Sequence, residues 1–367
     1  MKAFVTGGSG FIGRHVVRKL LDRGYEVVAL ARSPESAARL SEMGAGVVHG
    51  DITNMASMRE GMMGSDLVFH MAGMYTIGGG DREEMEIVNV GGTRKVLRLA
   101  HELGVPKIVY TSTVNVFGDT EGVLVDETYV ANGPFRTEYD RTKWLAHYKV
   151  VLPLIEKGMP VVIAMPGPVY GPGDQSIIAD MMRLFYRGFP AVPGPDTIIT
   201  FTHVEDVAEG HILAAEKGRA GETYILTGPA IPLGEMMDFW AQLTGKSAPS
   251  LSLPSPLLRA SAPLVDAAGS FTDLNSAFSK EGASFVGATY MARSDKARED
   301  LGWYTRSLQT GMLETFEWIV ETEDERKSDV VRRREEQVAR LALFTAFLLL
   351  IAWLFSRRQK NKSGEDR

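Results

Sequence analysis

The strongest constraint on this chain is the turn TGGSGFIG at residues 6 to 13, set between a short apolar strand and an amphipathic helix. KAFVT leads into it, and GRHVVRKLLDRG comes after it with Val16, Val17, Leu20 and Leu21 at helical spacing. A strand that ends in glycines and feeds a helix makes a βα unit whose backbone can come close to a ligand. A side chain there would hold an anion away, while the helix start at Phe11 and Ile12 offers free N–H groups and a positive end. Gly7, Gly10 and Gly13 fit GxxGxxG, and Gly8, Gly10 and Gly13 fit GxGxxG. Spacing alone does not choose between them, and both suit a pyrophosphate.

The strand–helix unit then repeats along the chain. YEVVALAR, GVVHGD, DLVFHMAG and KIVYTSTV read as strands, separated by SPESAARLSEMG and by a helix through Val88 to Leu103. Continuous apolar strands between helices imply a parallel sheet covered on both faces. The expected fold is α/β, a doubly wound Rossmann sheet binding ligands at the carboxyl ends of its strands. PVVIAMP, the loop GPVYGPGD, FTHVEDVAEGHILAAEKG and ETYILTG then read as returns to that sheet. Residues 1–170 and 197–228 are assigned to the dinucleotide domain, and 171–196 and 229–320 to a smaller substrate lobe. In that lobe Trp240, Phe271, Phe278 and Phe285 read as core. Residues 321–337 read as a charged linker or helix, 338–356 as a hydrophobic helix and 357–367 as a basic tail.

The net charge of −6 gives no basic face for nucleic acid. The absence of cysteine excludes disulfides, thiolate catalysis and cysteine-ligated metals, and the seven histidines lack ligand spacing, so no metal is expected. The strand pattern begins at Lys2, so no signal peptide is expected. LALFTAFLLLIAWLFS, from Leu341 to Ser356, carries no charge. Its sixteen residues span about 24 Å at ~1.5 Å each. With Val338, Ala339 and a snorkelling Arg340 the run approaches the ~30 Å of a bilayer core. Trp353, Arg357 and Arg358 suit an interface anchor. The expectation is a C-terminal membrane anchor with the folded part in the cytoplasm, where the reduced cofactor is found.

YDRTK places Tyr139 and Lys143 at i and i+4, on one helical face. A free tyrosine, with a pKa of ~10, is a poor base. A nearby ammonium and an oxidised nicotinamide ring would favour its phenolate. The tyrosine then exchanges a proton with a substrate oxygen while a hydride moves at the cofactor. Thr113, with Ser112 beside it, ends the fifth strand at the ligand edge, where its hydroxyl can hold the same oxygen. At the end of the second strand the chain has Ala31 and Arg32 and no acid for a ribose 2′-hydroxyl. A guanidinium suits a 2′-phosphate, so NADP(H) is expected, with NAD(H) as the alternative.

In these residues the chain resembles the extended short-chain dehydrogenase/reductase family, in its epimerase/dehydratase-like branch. The resemblance rests on TGGSGFIG, GDIT at 50–53, FHMAG at 69–73, NVGGT at 89–93, YTSTVNVFG, YDRTK, and VYGPGD with FTHVEDVAEGH after it. It implies Asp51 and Ile52 near the adenine, and Ala72 and Gly73 near the middle of the cofactor. Asn89 is implied as a structural or relay residue of that site, and Pro166 as part of it. It further implies Tyr139 as proton-transfer residue and Lys143 on the nicotinamide ribose. Nucleotide-sugar members usually carry an arginine and an asparagine before YGP, where this chain has Met165 and Pro168. Those changes remove polar anchors for a diphosphate, and the sequence looks closer to dihydroflavonol reductases and hydroxysteroid dehydrogenases. The expected activity is NADP(H)-dependent interconversion of a secondary alcohol and a ketone on a small, apolar substrate. The alternatives are a sugar or nucleotide-sugar epimerase or dehydratase, and a membrane-tethered protein that binds dinucleotide without turnover. The resemblance also allows a homodimer.

Overall fold

The computed structural model describes residues 1–75, 81–131, 133–189, 191–256, 258–259 and 285–323. The chain divides into two compact units, Met1–Thr315 and Phe316–Arg367, and the first holds every feature below. Its centre is a seven-stranded parallel sheet built from β1 (Lys2–Thr6), β2 (Glu26–Ala31), β3 (Gly46–His49), β4 (Leu67–His70), β5 (Lys107–Thr111), β6 (Val161–Pro166) and β11 (Thr223–Leu226). The order is β3-β2-β1-β4-β5-β6-β11. Every pair is parallel, as the unbroken apolar strands imply. Phe4, Val5, Val68, Phe69, Val109, Val162 and Ile163 are fully buried in it.

One face is covered by α1 (Phe11–Asp22) and α9 (Val204–Glu216). Helix α1 turns Val16, Val17 and Leu20 inward, the stripe read from its sequence. The other face is covered by α3 (Met55–Met62), α5 (Thr93–Glu102) and the helix that begins as α6 (Glu138–Ala146). Two widened π-type turns, Ile87–Gly92 before α5 and His147–Val151 after α6, interrupt this face. Such turns rotate side chains out of α-helical register and occur often at functional sites. The order in which strands are added reverses between β1 and β4, which leaves a crevice above their carboxyl ends.

The smaller lobe holds α8 (Ile177–Tyr186), α10 (Leu233–Thr244) and two small sheets. In one, β8 (Ala191–Pro193) pairs with β13 (Leu251–Leu253). In the other, β9 (Ile198–Thr200) lies between β12 (Ala230–Pro232) and β14 (Thr289–Tyr290). Two sequence boundaries move. Ile198–Thr200, assigned to the dinucleotide domain, belongs to the lobe because its strand partners are there. Ala297, Leu301 and Trp303, assigned to the lobe, are buried in the core beneath α1 and α9. The Trp303 indole donates to the Asp206 carbonyl at 2.7 Å. Trp240 is buried as expected, whereas Phe285 lines the cavity; Phe271 and Phe278 lie outside the described residues. The hydrophobic helix over 338–356 and the basic tail also lie outside them. Among the described residues no helix is long and apolar enough to cross a membrane.

Candidate active site

A cavity of about 650 Å³ runs from the glycine turn, past Tyr139, into the lobe. At its first end, the structure chooses between the two glycine patterns. Gly7 has φ +75°, and a Cβ on it would lie 2.6 Å from the Ala72 nitrogen. A Cβ on Gly13 would lie 2.0 Å from the Gly7 carbonyl oxygen. Gly7 is thus needed for the turn to lie against the backbone after β4, and Gly13 for α1 to pack against the turn. A Cβ on Gly8 would instead point into core side chains of Val5, Val17 and Leu40. The working set is Gly7, Gly10 and Gly13.

Gly10 is the N-cap of α1, and no side chain caps that helix. Its first-turn N–H groups, at Phe11, Ile12 and Gly13, line the cavity. A Cβ on Gly10 would meet only the Gly7 carbonyl, at 3.2 Å. An uncapped positive helix end with open space before it fits the pyrophosphate of a dinucleotide.

Gly73 and Pro166 line the same space. Ala72 and Asn89 stand behind it. The Ala72 N–H lies 3.4 Å from the Thr6 hydroxyl. The Asn89 amide clamps Met74, accepting from its N–H at 2.7 Å and donating to its carbonyl at 3.0 Å. It also donates to the Thr142 hydroxyl at 3.1 Å, which ties the strand β4 loop to α6. Asn89 thereby shapes the cavity wall from outside it.

Arg32, Asp51 and Ile52 lie at the far edge of the sheet, beyond the cavity. Arg32 is exposed and Ile52 buried. Burial acts to raise the Asp51 pKa, but hydrogen bonds from the Thr53 N–H and hydroxyl at 2.8 and 2.7 Å outweigh it. Arg32 and Lys95 add to the lowering, so Arg32 faces an ionised carboxylate.

The reacting end is assembled from β5 and α6. Thr137 caps α6, its hydroxyl accepting from the Asp140 N–H at 3.0 Å. Lys143 is buried, and its Nζ donates to the Thr111 carbonyl at 2.8 Å and lies 5.1 Å from the Tyr110 ring centre. Burial lowers its pKa to about 8. Burial, then the Asp140 carboxylate, push the Tyr139 phenol well above the usual tyrosine range, opposed by hydrogen bonding with Thr113. The direction is opposite to the one expected from Lys143 in the sequence. Dehydration of the phenol dominates, and Tyr139 stays protonated.

Thr113 and Ser112 are buried beside it. The Ser112 hydroxyl pairs with His147 Nδ1 at 2.9 Å. Burial, then Lys143, hold that imidazole neutral, with a pKa of about 3. The Tyr75 ring stands edge-on to Tyr139 at 4.9 Å, and Tyr290 enters from the lobe. Beyond them the cavity is walled by residues such as Ile177, Met181, Leu184, Phe189, Ile199 and Leu233. Among the described lining residues only Lys143 and Asp174 carry charge. The Asp174 carboxylate is occupied by the Ser176 N–H and hydroxyl at 2.8 and 2.9 Å. No cluster of potential metal ligands occurs among the described residues.

The family model of the NAD dependent epimerase/dehydratase family matches residues 3–226. The chain belongs to that family. It is an NAD-dependent enzyme of the epimerase/dehydratase family with a Rossmann-like fold. A curated relative, sterol demethylase protein B of Methylococcus capsulatus, is 30% identical over 88% of this chain and 99% of its own length. A second, the 4-hydroxy-2-methyl-3-oxo-4-farnesyl-3,4-dihydroquinoline-1-oxide ketoreductase of Stigmatella aurantiaca, is 31% identical over 83% of this chain and 92% of its own. The crystal structure of gox2253 superposes with a TM-score of 0.76 at 32% identity, covering 87% of this chain and 98% of that one.

Within this epimerase/dehydratase member, the sequence points to Tyr139, Lys143, Thr113, Ser112 and the glycine turn, and the fold gathers them around one cavity. Sequence reasoning misses Asn115, Asp140, Tyr75, Tyr290 and His147. Asn115 and Asp140 sit inside TSTVNVFG and YDRTK, but their roles depend on a contact between those two strings.

Proposed function

We propose that this enzyme is an oxidoreductase interconverting a secondary alcohol and a ketone on a largely apolar substrate. The observation that carries the reading is the cavity's composition. The space next to Tyr139 is walled by aliphatic and aromatic side chains, and its single cationic side chain among the described residues, Lys143, is engaged by the Thr111 carbonyl. A nucleotide-sugar diphosphate would leave two anionic phosphates in that wall without partners, at a cost of several kcal/mol. Met165 is buried in the core and Pro168 lines the cavity, and neither supplies an anchor. The Stigmatella relative, named as a ketoreductase of a farnesylated ring, supports the same reading.

The bound dinucleotide supplies or takes up the hydride. Gly7, Gly10, Gly13 and the α1 N-terminus hold its pyrophosphate. Tyr139 Oη delivers the proton to the substrate oxygen, or removes it. Lys143 is fixed under the site by Thr111 and contributes positive charge there. Ser112 and Thr113 border the oxygen's position, while the apolar wall excludes water. Arg32, exposed beside Asp51 and free of an acidic residue at the end of β2, favours NADP(H). The apolar run over 338–356 tethers the enzyme to a bilayer, with the catalytic unit in the cytoplasm.

Turnover tests the reading. Purified enzyme with NADPH and a panel of cyclic and aryl ketones should show net loss of reduced-cofactor absorbance. A chain that interconverts nucleotide sugars with no net cofactor change would refute it. Recovery of the full chain in the soluble fraction after lysis would refute the tether.

A further inference from the structure

The imidazole of His70 takes no part in the chemistry above. It closes β4, is 1% exposed, and stands between two hydroxyls. Its Nδ1 lies 2.8 Å from the Thr6 hydroxyl, and its Nε2 lies 2.9 Å from the Thr93 hydroxyl. Burial, then Lys143, lower its pKa to about 3, so the ring is neutral and carries one N–H. The place of that hydrogen is set by what Thr93 does. The Thr93 hydroxyl lies 2.7 Å from the Asn89 carbonyl, which can only accept, and two oxygens that close need a hydrogen between them. Thr93 gives its one hydrogen there. Its oxygen must therefore accept from His70, which puts the ring hydrogen on Nε2 and leaves Nδ1 an acceptor. Thr6 then donates to Nδ1, and a lone pair of its oxygen takes the Ala72 N–H at 3.4 Å. The Tyr110 phenol also neighbours Thr93 but lies beyond hydrogen-bond reach.

These contacts run one way, from Ala72 through Thr6, His70 and Thr93 to Asn89. They act where the ladder between β1 and β4 gives out. The Met71 N–H still reaches the Thr6 carbonyl at 3.1 Å, and the chain then leaves the sheet to form a wall of the cavity with Met71 and Gly73. The glycine turn lies directly against this wall, since a Cβ on Gly7 would be 2.6 Å from the Ala72 nitrogen. Asn89 closes the circuit. Its carbonyl ends the chain of bonds, and its carboxamide holds both the N–H and the carbonyl of Met74. We propose that His70, as its Nε2–H tautomer, is a positioning residue of the dinucleotide site, fixing Ala72–Met74 against the glycine turn before the cofactor arrives.

A wall set in advance spares the cofactor the ordering of that segment, which is how preorganisation raises affinity. The effect falls on NADPH and NADH alike, unlike that of Arg32. It serves ketone reduction and epimerisation equally, because both need the bound dinucleotide, and so it stands apart from the reductase reading.

Two measurements test the proposal. The first is a long-range proton–nitrogen correlation spectrum of full-length protein labelled at the histidine nitrogens, with the His70 signals identified by their loss in His70→Asn. Nε2 should show the shift of a protonated ring nitrogen and Nδ1 that of a bare one, from pH 8 down to pH 5 and with or without NADPH. A hydrogen on Nδ1, or one that moves there when NADPH binds, overturns the proposal. The second is titration with NADPH and NADH beside thermal melts. Thr6→Val and Thr93→Val keep the side-chain shape and remove one hydroxyl each. Both dinucleotides should then bind about three- to tenfold more weakly, by the same factor. His70→Asn keeps an acceptor for the Thr6 hydroxyl and should bind both more tightly than His70→Phe, which keeps none. A role in packing alone would lower the melting temperature and leave Kd in place. Folded valine variants with wild-type Kd, or asparagine and phenylalanine variants that bind equally, overturn the proposal. Where a variant does not fold, the tautomer of the wild type with and without NADPH decides. Binding of neither dinucleotide by the wild type overturns the dinucleotide site itself, and the spectrum still reports the tautomer.

Discussion

Replacing Gly10 with alanine separates what the glycine turn does for folding from what it does for the cofactor. Gly10 has φ −74° and ψ 177°, a conformation alanine adopts freely. Its added Cβ would meet only the Gly7 carbonyl oxygen, at 3.2 Å, and would otherwise project into open space. Less freedom in the unfolded chain stabilises by about 0.4–1 kcal/mol, and a poorer N-cap costs a similar amount. The melting temperature should therefore stay within ~4 °C of wild type. Binding should change much more. The methyl group occupies the space through which a pyrophosphate reaches the first-turn N–H groups. Losing one such charge-assisted bond costs about 1.5–3 kcal/mol, or roughly 10- to 150-fold in Kd. Gly13→Ala is the contrast. Its Cβ would sit 2.0 Å from the Gly7 carbonyl oxygen, where ordinary contact begins at 3.4 Å, and the obstacle is backbone. Helix α1 would have to move by more than an ångström, costing about 1–3 kcal/mol or more, so this variant should lose both stability and binding. Fluorescence titration with NADPH and NADH, beside a thermal melt, reads both effects. A Gly10→Ala protein that binds both dinucleotides as wild type does would mean that the cofactor does not approach this turn.

Tyr139→Phe should lower turnover by about 10²–10⁴-fold while dinucleotide binding is retained, as measured by steady-state rates and titration. Arg32→Ala should weaken NADPH by about tenfold and leave NADH unchanged, because an exposed guanidinium gains most from a 2′-phosphate; equal losses for the two would refute the assignment. Acid should unfold the protein early. Burial lowers His70 and His147 to about 3 and His211 to about 4, against ~6.5 in the unfolded chain. Their contribution is fully present above pH 6.5 and is lost as pH falls toward those values. At pH 5.5 the three together cost roughly 4 kcal/mol, so denaturant midpoints should drop between pH 7 and 5.5, and a flat profile would refute the buried neutral state.

The sheet is legible in the sequence because each strand is an unbroken apolar run and each helix carries its own stripe, both local properties. Thr223–Leu226 is recognisable as a returning strand for the same reason. The lobe is not. Its second sheet joins Ile198–Thr200, Ala230–Pro232 and Thr289–Tyr290, short segments far apart in sequence that carry no period long enough to read. Ala297–Leu301 and Trp303 return to the main core after the lobe, and only tertiary packing reveals it. In the site, the spacing of Tyr139 and Lys143 shows their shared helical face but not the sign of the tyrosine shift. The ammonium is visible in the sequence and the dehydration of the phenol is not, because burial depends on tertiary packing. Phe285 reads as core on the same grounds of apolarity that make it a wall of the cavity.

The two kinds of information divide along the line between the sheet and its cover. The residues proposed to hold the dinucleotide and the reacting oxygen sit at strand ends, where the fold fixes their position: Gly7 after β1, Gly73 after β4, Thr113 after β5, Pro166 at the end of β6. The far wall of the cavity comes from α8, β8, β9 and α10: α8 contributes Ile177, Ile178, Met181, Leu184 and Phe185, and the other three one or two apolar side chains each. Changing one of them alters shape by a methyl group or two, worth about 1–3 kcal/mol of discrimination. Specificity spread in that way leaves no motif. The proton-handling residues fall between these classes. Thr113 and Tyr139 belong to the sheet and its helix, yet Asp140 touches Tyr290 of the lobe through their mutual electrostatics.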